Sequence, residues 1–164
     1  MNLKIAVLVT FFAGAGFAGN SQTSDAEAEA IVNLLGVQKK EAIAKLVQVT
    51  PKDSAAFWKL YNAYQQDNKK VAMSRLALYE RTAAAYSNMT APVADSLAKT
   101  YFVNRFDQEK SLEEYYNKIK SATNAVIAFE FYQAEVYMLT QVRASIMQQI
   151  PTYGEYRNAI KLKD

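Results

Sequence analysis

The sequence predicts an all-α protein: an elongated antiparallel bundle or hairpin of about four helices, one of them long. Three observations lead there. Glycine is missing from a stretch of more than a hundred residues, between Gly36 and Gly154, where a sheet protein would need turn residues. The three prolines, Pro51, Pro92 and Pro151, fall where helices begin or end. Apolar residues recur at alternating spacings of three and four, the mark of a helix with one buried face.

The N-terminus comes first. Met1 to Lys4 is a short positive segment, Ile5 to Phe12 an uninterrupted apolar run, and Ala13 to Ala18 a small-residue stretch. This is the layout of a cleaved secretory signal peptide over 1–18, with Gly16-Phe17-Ala18 as the cleavage triplet and Ala13-Gly14-Ala15 as its rival. The apolar run is too short to span a bilayer. Without cysteine the chain cannot be a lipid-anchored lipoprotein. The reading is an exported, periplasmic and soluble product with no stable membrane insertion after cleavage. It forms a single helical domain over 19–164, with its start (19–26) and its tail (152–164) open to disorder.

The first helix is expected from Glu27 to Val49, with Gly36 as a candidate break. Thr50 and Pro51 then supply an N-cap and a first-position proline, and Asp53 a first-turn carboxylate, for a second helix to about Ser87. At 1.5 Å per residue that helix is about 55 Å long. Thr90, Pro92 and Asp95 repeat this chemistry for a third. Between Ala91 and Ile150 nothing in the composition stops a helix, yet one of that length would be exceptional in a domain of about 145 residues. One turn is therefore expected near Lys120 to Asn124, with Ser121 and Thr123 as caps. The fourth helix runs from about Ala122 until Pro151 forces Ile150 out of the helical region.

Along the second helix Phe57, Tyr61, Tyr64, Val71 and Leu78 share a seam with Asn68 and Arg75. Along the fourth, Phe129, Tyr132, Val136, Leu139, Ile146 and Ile150 share one with Arg143. Polar residues on a seam either line a groove or lie at its edge and reach solvent. Tyrosine, at eleven residues, suits either a thin core or an exposed groove, because the ring packs while the hydroxyl stays wet. The candidate client-binding residues are Phe57, Tyr61 and Tyr64, with Arg75 or Arg143 at the polar edge. Core packing is the competing role for the three rings.

The chemistry is bounded by composition. With neither histidine nor cysteine, the serine triad, thiol nucleophiles, and histidine or thiolate metal and haem sites are excluded, and so is a Glu-x-x-His di-metal bundle. Glu113 and Glu114 are adjacent and face different ways. Glu130 and Glu135 read as routine surface carboxylates. No catalytic residue, metal ligand or cofactor is expected, and the chain is read as a non-enzyme. Loss of Lys4 with the signal peptide lowers the formal charge from +3 to +2, and basic residues are interspersed with acidic ones, so no nucleic-acid footprint is present.

Val49-Thr50-Pro51, Phe57-Trp58, Tyr61, Tyr64, Tyr86 before Met89-Thr90, and Phe131-Tyr132-Gln133-Ala134-Glu135 with Ile150-Pro151 together resemble a group of uncharacterised exported helical proteins. More distantly the chain resembles the Spy and CpxP type of periplasmic chaperone and stress regulator. Val49-Thr50-Pro51-Lys52-Asp53 and Met89-Thr90-Ala91-Pro92-Val93 keep the apolar-Thr start of that type's repeated motif and lack its glutamine. The resemblance implies a chaperone-like or envelope-stress protein that binds unfolded or envelope polypeptides, with a homodimer among its expected states. An adaptor docking one specific envelope partner and a purely self-assembling structural protein are the alternatives.

Overall fold

A computed structural model describes residues 25–147, without the side chains of residues 25–32, Leu34, Ser87 and Ile146. The expected leader (1–18) and tail (152–164) lie outside these residues, as does Ile150-Pro151. The described chain is all-helical, with five α-helices: α1 (Asp25–Leu46), α2 (Pro51–Asp67), α3 (Lys69–Ala85), α4 (Ala91–Ala122) and α5 (Ala125–Met147). A 3-10 turn, Tyr86–Asn88, joins α3 to the segment before α4. α4 packs against α2, α3 and α5, while α1 packs on α3 and α5. No described helix is long and apolar enough to cross a membrane.

Pro51 and Pro92 act as expected. Thr50 and Thr90 are extended N-caps ahead of Pro51 and Pro92. Thr50 does not cap with its side chain; its hydroxyl donates to Asp53 Oδ2 at 2.7 Å, while the Asp53 amide donates to the Thr50 carbonyl. The turn before the last helix falls at Thr123 and Asn124. Its cap is Asn124, whose Oδ1 accepts from the amides of Val126 and Ile127 at 2.9 and 3.0 Å, so the role expected of Ser121 or Thr123 passes to the neighbouring residue.

Two expectations are corrected. Gly36 does not break the first helix; it lies within α1, at a close approach to α2. Its carbonyl accepts from Gln65 Nε2 at 3.0 Å, and a Cβ there would lie 3.3 Å from Gln65 Oε1. The long second helix is interrupted at Asn68 and becomes α2 and α3. Asn68 Nδ2 donates to the Tyr64 carbonyl at 2.9 Å, alongside the Asn68 amide, and to Ser111 Oγ on α4 at 2.7 Å. A short amide side chain that bonds the preceding turn competes with the regular backbone ladder.

Among the described residues the core has two apolar clusters, with buried polar residues between them along α4. The larger joins Ile43 and Val47 of α1, Phe57, Tyr61 and Tyr64 of α2, Leu112, Tyr115 and Ile119 of α4, and Ile127, Ala128, Phe131 and Ala134 of α5. The smaller centres on Tyr79, against Tyr101, Val142 and Met147. The polar layer holds Asn68, Asn104, Gln108 and Glu135, all buried. On α5 the buried face is Ile127, Ala128, Phe131, Ala134, Glu135 and Met138, and Phe129 is exposed. This buried face is rotated away from the seam expected from Phe129, Tyr132 and Val136.

Candidate functional site

Three of the five candidate binding residues come together, but inside the protein. Phe57 and Tyr61 are 0% exposed and Tyr64 is 1% exposed. Their spacing of four and three puts them on the core face of α2. Phe57 stacks on Tyr61, while Tyr61 and Tyr64 both meet Phe131 edge-on, with centroids 6.2 and 5.3 Å away. Arg75 and Arg143 are half-buried further along α3 and α5. Arg75 belongs to the polar layer, donating from a terminal guanidinium nitrogen to Gln108 Oε1 at 3.0 Å.

The residue that sequence reasoning left on the surface, Glu135, is the centre of this layer. It is 0% exposed, and its carboxylate accepts from Tyr61 Oη at 3.1 Å and Tyr64 Oη at 2.9 Å. Lys39 Nζ closes the group at 2.8 Å. Gln108 Nε2 donates to Tyr64 Oη and to Asn68 Oδ1, and Gln65 Nε2 to Tyr61 Oη, so α1, α2, α4 and α5 are tied through one set of bonds. Among the described residues no buried side-chain nitrogen or oxygen lacks a partner. Burial and the adjacent Glu135 carboxylate push both phenols well above their ordinary range. The phenols are therefore held as neutral donors. The one signal available in the sequence was position: Glu135 is four residues after Phe131 and one after Ala134, on their face of the helix.

Two concavities adjoin this framework. One, of about 370 Å³, lies between α1, the α2/α3 junction and α5, and Tyr64, Arg75, Leu76, Gln108, Leu139 and Val142 are among its walls. The other, of about 660 Å³, is a groove on the outside of α4 and α5, lined by Phe106, Glu109, Lys110, Glu113, Tyr116, Phe129 and Tyr132. Phe102 is one turn before Phe106 and Val126 is one turn before Phe129. The exposures are 71% for Phe102, 68% for Phe106, 67% for Val126 and 54% for Phe129.

No family model, no curated protein and no solved structure matches this chain. The buried rings and Glu135 are a framework, whereas the outer groove sets large apolar side chains in solvent beside Glu109 and Glu113, which have no ion-pair partner among the described residues.

Proposed function

We propose that this protein is a non-catalytic, exported helical protein of the bacterial envelope that binds unfolded or envelope polypeptides on the outer face of α4 and α5. One observation carries the reading. Phe106 and Phe129 line a formed groove and stand exposed, and Phe102, Val103 and Val126, each within one helical turn of one of them, are exposed as well. Clusters of exposed apolar residues that far exceed scattered single side chains mark interaction sites. The occupant that fits is a polypeptide segment offering aliphatic or aromatic side chains to Phe106, Tyr116 and Phe129, with a lysine or arginine for Glu109 and Glu113. An elongated antiparallel arrangement of the helices would make this face accessible along its length. The resemblance to Spy and CpxP type proteins supports the same activity and a periplasmic location.

The proposed surface is thus the outer face of α4 and α5 in place of Phe57, Tyr61 and Tyr64, which are buried in the core. The test is suppression of client aggregation, followed by light scattering with two or three unrelated unfolding proteins. The triple variant Phe102→Ser, Phe106→Ser, Phe129→Ser should lose suppression while keeping its helix content. Suppression by neither protein sinks the reading. Binding to one envelope protein alone would make the chain a dedicated adaptor, and burial of this face in a stable dimer would make it an assembly surface.

A further inference from the structure

The smaller cavity has a charge balance unlike the rest of the chain. Its walls include Lys39, Lys40, Lys69 and Arg75 and, among the described residues, no carboxylate. In the whole sequence, by contrast, 19 basic residues face 16 acidic ones. Lys39 is neutralised by Glu135, which sits behind the wall at 0% exposure. Arg75 makes no ion pair among the described residues: its one bond is to the neutral Gln108 amide, which uses one of five N–H donors. Among the described residues no buried side-chain nitrogen is left without a partner, so the remaining donors of this half-buried guanidinium reach open space. The opposing walls are apolar, from Leu76, Leu139 and Val142. The exposed side chains of Lys40, Asn62 and Gln66 form a rim between α1 and α2.

We infer that this cavity binds a small amphipathic carboxylate, an alkyl or aryl acid whose carboxylate pairs with Arg75 and whose apolar part lies on Leu76, Leu139 and Val142. The planar guanidinium fork matches a carboxylate in two parallel bonds. At about 370 Å³ the space is at the lower end of ligand pockets, which run from about 300 to 1,000 Å³ with apolar walls and a few converging polar groups. A bound anion also answers an electrostatic need. Burial, the largest influence, draws the Arg75 pKa down, and Arg143 adds to this, while Tyr79, Tyr64 and Glu135 act in the opposite direction. A carboxylate at Arg75 offsets the cost of burial.

The test uses the full mature chain with octanoate, and with octanol and octylamine as probes of the same length. Trp58, the only tryptophan, reports through Lys40, whose Nζ lies 5.6 Å from its ring centroid and which also lines the cavity. Octanoate should bind saturably, raise the melting temperature and bind at least tenfold tighter than octanol, with octylamine weakest. Arg75→Met should cost octanoate at least tenfold and leave octanol unchanged. Ala72→Leu, which fills the cavity with every charge intact, should abolish binding of both and guards against a folding defect in the arginine variant. The Phe106→Ser, Phe129→Ser variant should bind octanoate normally, which separates this cavity from the outer groove. No saturable octanoate binding, equal affinity for octanol, or full octanoate affinity in folded Arg75→Met or Ala72→Leu would each overturn the assignment.

Discussion

Tyr64 donates its phenolic hydrogen to Glu135 at 2.9 Å across 71 residues of chain, and its oxygen accepts from Gln108 in turn. The hydroxyl thus links α2, α4 and α5 at the level where apolar packing gives way to polar. Tyr64→Phe keeps the ring and its edge-on contacts with Tyr115 and Phe131 and removes this link. It should cost about 1–3 kcal/mol, the range for leaving buried partners unsatisfied, as measured by urea denaturation.

Glu135→Ala should be worse. It strands the Lys39 ammonium, whose side chain is only 14% exposed, together with two phenols. Removing one member of a buried pair costs about 3–5 kcal/mol. Replacing the whole group, with Lys39→Met, Tyr61→Phe, Tyr64→Phe and Glu135→Leu, should recover roughly half of that loss or more, because apolar replacement of a complete buried ionic group is often neutral. A quadruple variant less stable than Glu135→Ala would contradict this account.

Alkali gives a third expectation. The pKa values of Tyr61, Tyr64 and Tyr115 are raised in the folded state, in each case first by burial; for Tyr115 a hydrogen bond to Asp67 adds to this. The unfolded phenol ionises near pH 10. Below that pH both states hold the proton and the stabilisation is complete; above it the unfolded state releases protons that the folded state keeps, so stability falls as pH rises. An ultraviolet titration should show these tyrosines ionising together with loss of helix.

Asn124→Ala removes the acceptor for two first-turn amides of α5 and should cost about 0.5–2 kcal/mol. Ser121→Ala should cost much less, since Ser121 is exposed and Asn124 does the capping. Equal effects from the two would place the cap elsewhere.

What was legible in the sequence was whatever depends on near neighbours. Pro51, Pro92 and the missing glycines mark helices because their effects are local to the backbone. Phe57, Tyr61 and Tyr64 stand out because three- and four-residue spacing survives without tertiary partners. The break at Asn68 was not legible, since it depends on Ser111 and Gln108, about 40 residues away. Glu135 read as a surface residue because its three partners lie on other helices. The phase of α5 was misread for a different reason: Ala125 to Phe129 is apolar all round, so periodicity alone does not select a face, and packing leaves Phe129 in solvent.

The Glu135 cluster also has a consequence for how this sequence can change over generations. Positions 39, 61, 64 and 135 share one charge balance and one set of protons, so they behave as a single inherited character spread over three helices. A descendant that replaces Glu135 with an apolar residue should also carry changes at Lys39 and at one or both tyrosines. One that keeps Glu135 should retain a cation at 39 and hydroxyls at 61 and 64, however far its outer face has diverged.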